Sequence, residues 1–421
     1  MAKSGAAAQP KIIRSRLVFN FPGFEPTPPL GQLDRLRHGA QKSGEVWGFT
    51  FERLSADAVA DEYHAVSESV TSGPNWQTHT RIVQFSWSDV IENYERESFP
   101  RGLFRNFPKF MAFLFDGTVG RYLHASKRYW TFTIFPLLLI ALYLVVSGVV
   151  VWFALDAFAP QTSHPVIATA VTLALTLLLC RWPGQRWYLL LTINDWGFAR
   201  DMANRINPDI EQRYRTFATT LADQIERSKH DEIVIAGHSF GTVWAAGALA
   251  IALENNPKLL AGRNVTFLAL GSSLLKIALA PAAGFMRDWM ARIIAQPCLT
   301  WHEIQTKDDL IAFYKADPFA ELGIKNVKAT LKIDRVKYKD AMDRKRYVQM
   351  LKSPYRTHRQ YILYQDKRVF FDYVLRLFGP LSVRALALDP GLIAMIGPDG
   401  ALAGTLAGAP EKQSSRTGAA K

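Results

Sequence analysis

The chain has 421 residues, of which 49% are hydrophobic and 21% are charged, and this composition excludes a disordered or fibrous protein. It permits a sizeable core in two or three domains, or in one large domain with insertions, and two cysteines exclude a disulfide framework or a multi-cysteine zinc site. Fifty Lys and Arg against thirty-seven Asp and Glu give a formal charge of +13, which favours an anionic neighbour such as phospholipid or nucleic acid.

The first 120 residues show a pattern of strands separated by helical segments. Residues 1–11 are rich in Ala, Lys and Gly and are predicted to be disordered. Residues 12–120 are predicted to form the first part of an α/β domain. Its predicted elements are strands at residues 16–21, 46–53 and 81–87 and a helix at residues 28–43.

Two long apolar runs follow this part of the chain. The first, residues 129–155, has 27 residues without a charge, and the second, residues 165–182, is free of charge up to Cys180. About 20 apolar residues cross the hydrocarbon core of a bilayer. Because only nine residues join the two runs, residues 121–190 are predicted to form a transmembrane hairpin rather than two buried core helices.

The charges around the hairpin predict its orientation. Arg121, Lys127 and Arg128 precede it and Arg181 and Arg186 follow it, whereas the connecting loop has no Lys or Arg. The positive-inside rule then places both flanking parts in the cytoplasm, with the hairpin in an inner or plasma membrane. No apolar stretch near the start of the chain resembles a signal peptide. Four tryptophans stand where an aromatic belt is expected: Trp130, Trp152, Trp182 and Trp187.

After the hairpin, residues 191–385 are predicted to form the second part of the α/β domain. The predicted strands are residues 231–236, 265–270 and 299–304, and the predicted helices are residues 208–228 and 242–254. Several of these strands are continuous apolar runs, which indicates a mostly parallel sheet with helices on both faces. Residues 386–421 are rich in Gly, Ala and Pro and are predicted to be a low-complexity tail.

The segment GHSFG, from Gly237 to Gly241, is the strongest chemical signal in the chain. It directly follows the predicted strand DEIVIA and opens the predicted helix TVWAAGALA. A nucleophile elbow needs this context, because its serine must stand on a tight turn between strand and helix. The two glycines avoid Cβ clashes at such a turn, and the helix N-terminus favours negative charge there. Ser239 is therefore the candidate nucleophile.

A serine nucleophile needs a base, and the base needs an acid that orients it. In this architecture the chain order is serine, then acid, then histidine. Only His302 and His358 follow Ser239, and His302 lies inside a predicted strand, where a side chain is more often packed than catalytic. His358 is therefore the candidate base.

The acid is expected just past the predicted strand LTWHEIQTK, which ends at Asp308 and Asp309. Either carboxylate could reach the histidine. Asp309 is preferred because an apolar segment begins directly after it, and Asp308 is the alternative. Glu303 is a weaker candidate because it lies inside the strand, and Asp317 is expected to cap a turn.

The oxyanion hole of such a site requires two backbone N–H groups aimed at the developing negative charge. The N–H of Phe240, directly after the nucleophile, is the first candidate. The second is expected in the loop after an early strand, where RLVFNFPGFE places Gly23 and Phe24. Phe24 N–H is the candidate, and an ordinary Pro-Gly turn is the alternative interpretation of this loop.

Together these segments resemble an α/β-hydrolase of the membrane-associated serine esterase or lipase type. The matching segments are NFPGFE at the His-Gly loop, GHSFG at the elbow, LTWHEIQTKDD at the acid strand and THRQY at the histidine. They span about residues 12–375, with the hairpin as an insertion of unusual length. The chain departs from the family pattern at Pro22, which replaces the usual His before Gly23.

Residues 328–384 hold much of the excess positive charge, with fifteen Lys and Arg, five Asp and no Glu. A cytoplasmic domain with such a segment beside a membrane is expected to bind anionic lipid headgroups, with a plain solvated surface as the alternative. Nucleic acid is not an expected partner, because no recognition motif accompanies the charge. Residues 102–123 alternate aromatic and basic side chains and predict either an interfacial helix or a buried cap.

The leading functional hypothesis is a membrane-anchored serine hydrolase that cleaves a lipid or acyl ester through an acyl-enzyme, with no cofactor and no metal. A thioesterase or peptidase uses the same triad and stays open. The alternative from another class is a catalytically silent membrane scaffold of the same shape that binds anionic lipid or a protein partner. A transport role is disfavoured, because the predicted spans have no ionisable residue to mark a pathway.

Overall fold

A computed structural model of the protein describes residues 12–158 and 165–403. The predicted disordered N-terminus, residues 159–164 of the hairpin loop and residues 404–421 of the predicted tail lie outside the described residues. The strands are β1 (Ser15–Phe21), β2 (Thr50–Arg53), β3 (Ala58–Asp61), β4 (His64–Gly73), β5 (Trp76–Phe85), β6 (Glu232–His238), β7 (Val265–Leu270), β8 (Leu299–Thr306) and β9 (Thr330–Val336).

Helices connect and cover these strands. In the first half and the hairpin region they are α1 (Pro29–Trp47), α2 (Ser88–Glu95), α3 (Phe99–Phe115), α4 (Thr118–Ala125), α5 (Lys127–Phe158), α6 (Pro165–Arg181), α7 (Pro183–Arg186) and α8 (Leu189–Asn204). In the second half they are α9 (Pro208–Arg227), α10 (Gly241–Asn255), α11 (Leu274–Ala278), α12 (Gly284–Ile294), α13 (Pro318–Glu321), α14 (Tyr338–Ala341), α15 (Arg344–Leu351), α16 (Pro354–Arg359), α17 (Tyr373–Phe378) and α18 (Val383–Leu388).

Within the described residues, the nine strands form one sheet in the order β2-β4-β5-β1-β6-β7-β8-β9, with β3 paired to β4. The strands from β5 through β1 and β6 to β9 are parallel to their neighbours. At the other edge, β4 is antiparallel to β5, and β2 and β3 are antiparallel to β4. The prediction of an α/β fold with a mostly parallel sheet is confirmed.

Helices cover both faces of this sheet. Successive side chains of a strand point to opposite faces, and β1 shows the consequence. Leu17 and Phe19 belong to a core shared with α9, α10 and α12. Val18 lies in a second core shared with α1 and α17. Because both faces of β1 are buried, its sequence is a continuous apolar run.

Several element boundaries differ from the sequence prediction. The predicted strand at residues 46–53 begins only at Thr50, because α1 continues to Trp47 and ends where Gly48 adopts a φ of +75°. Strands β3, β4 and β9 were not expected, because their polar and charged side chains obscure the apolar pattern of a strand. They all lie toward the two edges of the sheet, where half-exposed strands tolerate such side chains.

The first part of the predicted tail belongs to the fold and is not loose. Trp76 donates a hydrogen bond from Nε1 to the carbonyl of Gly400 at 2.7 Å. Leu402 is 4% exposed and packs with Trp47 and Trp76 in a small third core. The predicted low-complexity tail at residues 386–421 is therefore wrong for residues 386–403. Its Gly and Pro residues form turns that fold back onto β4 and β5 rather than a solvated chain.

Two helical stretches of the described residues, α5 and the continuous stretch Pro165–Arg186 that comprises α6 and α7, are long and apolar enough to cross a membrane. The first turns of α5 serve the protein core. Tyr129 is 1% exposed, and its ring stacks on Phe313 with centroids 3.8 Å apart. Large exposed apolar side chains on α5 begin only at Leu138. The first turns of the predicted span at residues 129–155 thus pack in the protein core, and the large exposed apolar side chains of α5 lie within residues 138–158.

A buried ion pair joins the two central strands to the C-terminal segment. Arg16 on β1 and Glu232 on β6 have fully buried side chains, and Arg16 Nε donates to Glu232 Oε2 at 2.9 Å. The remaining guanidinium N–H groups donate to the carbonyls of Leu377, Gly379 and Leu381. The pair with Glu232 balances the charge of Arg16, and the other bonds satisfy carbonyl groups in the turn after α17.

We expect Arg16→Gln to lower the free energy of unfolding by about 3–5 kcal/mol, because Glu232 would stay buried without its cation. The measurement is denaturant unfolding in detergent, followed by tryptophan fluorescence. Arg96→Gln is the control, because the Arg96–Glu92 pair is exposed and such pairs contribute about 1 kcal/mol or less. Equal stability of the two variants would contradict the prediction.

Glu303, in β8, is another buried ionisable residue of the sheet. It is 4% exposed and accepts a hydrogen bond from Trp301 Nε1 at 3.2 Å. Burial raises the pKa of Glu303 to about 8. Its carboxyl is therefore largely protonated in the folded protein at neutral pH.

The raised pKa of Glu303 predicts a pH-dependent cost to stability. The pKa of this carboxyl in the unfolded chain is about 4.3. Between that pH and about 8, the folded protein binds a proton at Glu303 that the unfolded chain has lost. The free energy of unfolding therefore falls as the pH rises through this range. Glu303→Gln removes the titration and keeps an acceptor for Trp301. We expect the Tm of Glu303→Gln, relative to wild type, to increase from pH 5 to pH 8. The control is Glu52→Gln, at an exposed position, for which the Tm difference from wild type should not change with pH. A gain that does not change with pH would refute this.

Candidate active site

The carboxyl ends of β1 and β6 form the centre of the candidate site. The two strands are parallel neighbours, and Phe21 pairs with Gly237. Within the sheet, β1 lies between β5 and β6. The chain passes from β1 to β5 on one side of β1 and then continues to β6 on its other side. Crevices at such a reversal of strand order are common ligand sites in α/β proteins. A cleft of about 270 Å³ lies here, and its lining includes Gly23, Phe24, Ser239 and His358.

Ser239 stands on a tight turn between β6 and α10. Its φ of +55° lies in the left-handed region, which is rare for a residue other than glycine. A Cβ on Gly237 would lie 2.7 Å from the Thr242 Cα, and a Cβ on Gly241 would overlap the Phe21 carbonyl. The two glycines thus stand where neighbouring backbone leaves no room for a side chain, as the elbow hypothesis requires.

The structure brings His358 and Asp309 together. The Nδ1 of His358, on α16, lies 2.7 Å from Oδ2 of Asp309, whose side chain is fully buried. The other carboxylate oxygen accepts the Ile311 N–H at 2.8 Å, which fixes the carboxylate plane. The carboxylate favours the tautomer with the proton on Nδ1 and leaves the lone pair on Nε2. Asp308 instead contacts the Tyr347 hydroxyl at 3.3 Å.

Three other candidates from the sequence lie outside the site. His302 contacts Asp334 at 2.8 Å inside the sheet, and burial lowers the pKa of its imidazole to about 4. Glu303 accepts a hydrogen bond from Trp301 instead. Asp317 caps α13 by accepting the N–H groups of the next turn. These residues are structural in this fold.

The candidate nucleophile, Ser239, and the candidate base, His358, line one cleft without a hydrogen bond between them. Ser239 Oγ lies 3.3 Å from Ser273 Oγ. The Nε2 of His358 is buried and has no partner among the described residues. Contacts between catalytic groups are often looser in the free protein than in the substrate complex. Rotation about χ1 of Ser239 would move its hydroxyl away from Ser273.

Two backbone amides near Ser239 make no hydrogen bond to the described residues. In the part of the chain that the structure describes, the N–H groups of Phe24 and Phe240 have no hydrogen-bond acceptor. The loop after β1 approaches the nucleophile closely, since a Cβ on Gly23 would lie 3.2 Å from Ser239 Cβ. Trp87 Nε1 donates to the Pro22 carbonyl at 3.0 Å and holds this loop. The predicted oxyanion donors therefore lie on adjacent loops beside the serine.

His238 is a part of the site that the sequence analysis did not identify. Its Nε2 lies 3.0 Å from the His358 carbonyl oxygen, so it donates its proton there. Burial lowers the pKa of His238 well below its usual value, which keeps the ring neutral. His238 thus ties the elbow to the segment that carries the candidate base. The middle positions of a G-x-S-x-G motif have no fixed residue type, so the sequence offers no signal for this role.

A buried ion pair in the cleft wall was also missed. Asp195 on α8 lines the cleft and pairs with Lys276 on α11. The Lys276 ammonium lies 4.1 Å from the Trp196 ring centroid and 4.8 Å from that of Phe240. Burial lowers the pKa of Lys276, and the carboxylate opposes this effect. Nothing in the sequence near the hairpin indicates that α8 reaches the cleft.

The segment after the hairpin also contacts the helix that carries His358. Tyr188, just before α8, has a φ of +60°, and its hydroxyl lies 3.1 Å from Ser353 Oγ. One turn later, Thr192 Oγ1 lies 2.9 Å from the hydroxyl of Tyr355. The two tyrosine rings pack with centroids 4.8 Å apart. The position of α16, and with it His358, is therefore coupled to the end of the hairpin.

The described residues contain no group of three or more His, Cys, Asp or Glu side chains that could hold a metal ion. The cleft itself presents serine, imidazole and carboxylate side chains. Comparisons of the chain with protein-family models, with curated proteins and with solved structures find no match. The geometry of the site is therefore the basis for any functional conclusion.

Proposed function

We propose that this protein is a membrane-associated serine hydrolase that cleaves carboxylic esters. The observation that carries the proposal is the His358–Asp309 contact of 2.7 Å in the same cleft as Ser239. A strained serine, a buried histidine with a free Nε2 and a buried carboxylate are the parts of a nucleophilic triad. Their order along the chain is the one expected for this architecture.

In the proposed mechanism, Ser239 Oγ attacks the ester carbonyl carbon while Nε2 of His358 takes the hydroxyl proton. Asp309 holds the imidazole tautomer and stabilises the imidazolium that forms. The amides of Phe24 and Phe240 stabilise the oxyanion. The C–O bond then breaks, the alcohol leaves with the proton from His358, and an acyl-enzyme remains. Water activated by His358 attacks the acyl carbon and releases the acid and the free serine.

The proposed location is a membrane that α5 and α6 cross, with both flanking parts in the cytoplasm. The basis is the length of the two helices and the basic residues on both flanks. Three basic residues of the segment 328–384 are engaged within the protein. Arg376 is fully buried, Arg346 pairs with Asp366, and Arg368 donates to the Gly397 carbonyl. Attraction to anionic lipid therefore rests on the remaining exposed basic residues.

The test is labelling of the detergent-solubilised protein with a fluorophosphonate probe. We expect wild type to be labelled and Ser239→Ala to be silent, because the probe forms a covalent bond with an activated serine oxygen. Asp309→Asn is expected to slow labelling by about a hundredfold or more, because the imidazole loses its oriented tautomer. Asp308→Asn is the matched control and should label at nearly the wild-type rate.

Folding of each variant is verified by its thermal unfolding curve. If folded wild type does not react with the probe, the hydrolase proposal fails, and the alternative of a silent membrane scaffold gains support. Equal effects of the two aspartate variants would remove Asp309 from its proposed role.

Gly271 provides a second test of the histidine position. It follows β7 with a φ of +52°, and a Cβ there would lie 3.0 Å from His358 Cε1 and 2.6 Å from Tyr361 Cε2. We expect Gly271→Ala to slow probe labelling by about tenfold or more, because the methyl group displaces the imidazole. Gly262→Ala is the control, since Gly262 has a φ of +72° with open space around it. Equal labelling rates of the two variants would contradict the prediction that the methyl group at residue 271 displaces His358.

A further inference from the structure

One helix separates the candidate cleft from the membrane hairpin. On one side of α8, Leu189 and Ile193 are fully buried in a cluster with hairpin residues. That cluster includes Leu139, Tyr143 and Cys180. On its other side, Asp195 and Leu191 line the cleft, together with Tyr188 directly before the helix. A molecule in the membrane beside the hairpin is thus a single helix away from Ser239.

Exposed aromatic side chains, of the kind found at a membrane–water interface, surround α8. Trp182 and Trp187 flank α7, between the hairpin and α8, and are 73% and 58% exposed. Helix α3 packs along α8, and its Phe99 joins the cluster with the hairpin. Phe104 and Phe115 on the outer side of α3 are 70% and 83% exposed. They stand eleven residues apart, which is three helical turns, and exposed aromatic side chains of this kind favour the interface.

The mouth of the cleft carries an excess of positive charge. Arg356 and Arg359, both on α16, line it. Glu25 is the one carboxylate of the lining besides Asp195, which Lys276 already neutralises. Glu25 pairs with Arg35 and lies 3.7 Å from Arg359. The guanidinium of Arg356 has no hydrogen-bond or ion-pair partner among the residues that the structure describes, and it is exposed.

We propose that the substrate is an acyl ester of an anionic phospholipid, which reaches the cleft from the bilayer beside α8. The proposal rests on the hydrolase function proposed above. The headgroup phosphate binds Arg356 and Arg359, because guanidinium groups bind phosphate oxygens in pairs of charge-assisted hydrogen bonds. Leu191 and Tyr188 on the membrane side of the cleft contact the apolar part. The ester carbonyl then reaches Ser239, which lines the same cleft as the two arginines.

The test uses purified full-length protein in vesicles that contain equal amounts of phosphatidylglycerol and phosphatidylcholine. Both lipids then share one surface potential, so the ratio of their hydrolysis rates reports selection by the cleft and not membrane attraction. We expect wild type to release fatty acid from phosphatidylglycerol about tenfold faster, because the two arginines bind phosphate in both lipids but repel the choline cation of phosphatidylcholine. Arg356→Gln is expected to bring this ratio close to one. Arg344→Gln removes an exposed arginine of the same basic segment outside the cleft lining and should keep the wild-type ratio.

A second arm separates a bilayer substrate from a soluble one. It compares vesicles with short-chain phosphatidylglycerol below its micelle concentration, and we expect faster hydrolysis per lipid from vesicles. Arg359→Gln replaces Arg356→Gln if the latter does not fold, as judged by its unfolding curve.

Fluorophosphonate labelling of wild type is measured in parallel. A labelled wild type with a ratio near one, or an equal loss of ratio in Arg344→Gln, overturns the substrate class and leaves the hydrolase function standing. Faster turnover of the soluble lipid overturns the bilayer route. An unlabelled, folded wild type overturns both proposals.

Discussion

The parallel pairing of β1 with β6 is the constraint on which the candidate site depends. It places the turn after β1 and the elbow after β6 side by side, although the hairpin and more than two hundred residues separate them in the chain. Gly241 leaves no space for a Cβ against the Phe21 carbonyl, so the two turns are in direct contact. At the opposite end of the same strands, the buried Arg16–Glu232 pair holds the register. A shift of β1 would therefore separate the amides of Phe24 and Phe240.

The hairpin is continuous with the packed core and is more than an attached anchor. Helix α5 begins inside the domain, where Tyr129 stacks on Phe313, and its Leu139 and Tyr143 still pack against α8. The chain returns through α7 into α8, which is buried along most of its length. Because α8 also contacts the segment before His358 through Thr192 and Tyr355, the hairpin and the candidate base are parts of one packed unit. A movement of the hairpin relative to His358 would therefore break contacts that α8 makes with both.

The sequence predicted the parts of the site that local rules determine. The strand-to-helix context identifies Ser239, and the order of the chain leaves His358 and the Asp308-Asp309 pair. The choice between the two carboxylates depended on which one points inward, and the structure brings Asp309 to His358. His238 could not have been foreseen, because its partner is a backbone carbonyl 120 residues away. The edge strands and the folded part of the tail were missed for the same reason, since their stability comes from distant packing and not from local periodicity.

The buried Asp195–Lys276 pair shows how the cleft wall and the elbow are connected. Burial of an ion pair costs desolvation energy that the attraction often fails to recover, so such a pair is poor evidence of a purely stabilising role. Here it joins α8, the wall that faces the hairpin, to α11, and its ammonium lies over the ring of Phe240. The amide of the same Phe240 is the proposed oxyanion donor. The ion pair thus fixes the position of α8 relative to Phe240 and the elbow. The proposed route of a lipid past α8 to Ser239 would depend on this fixed position.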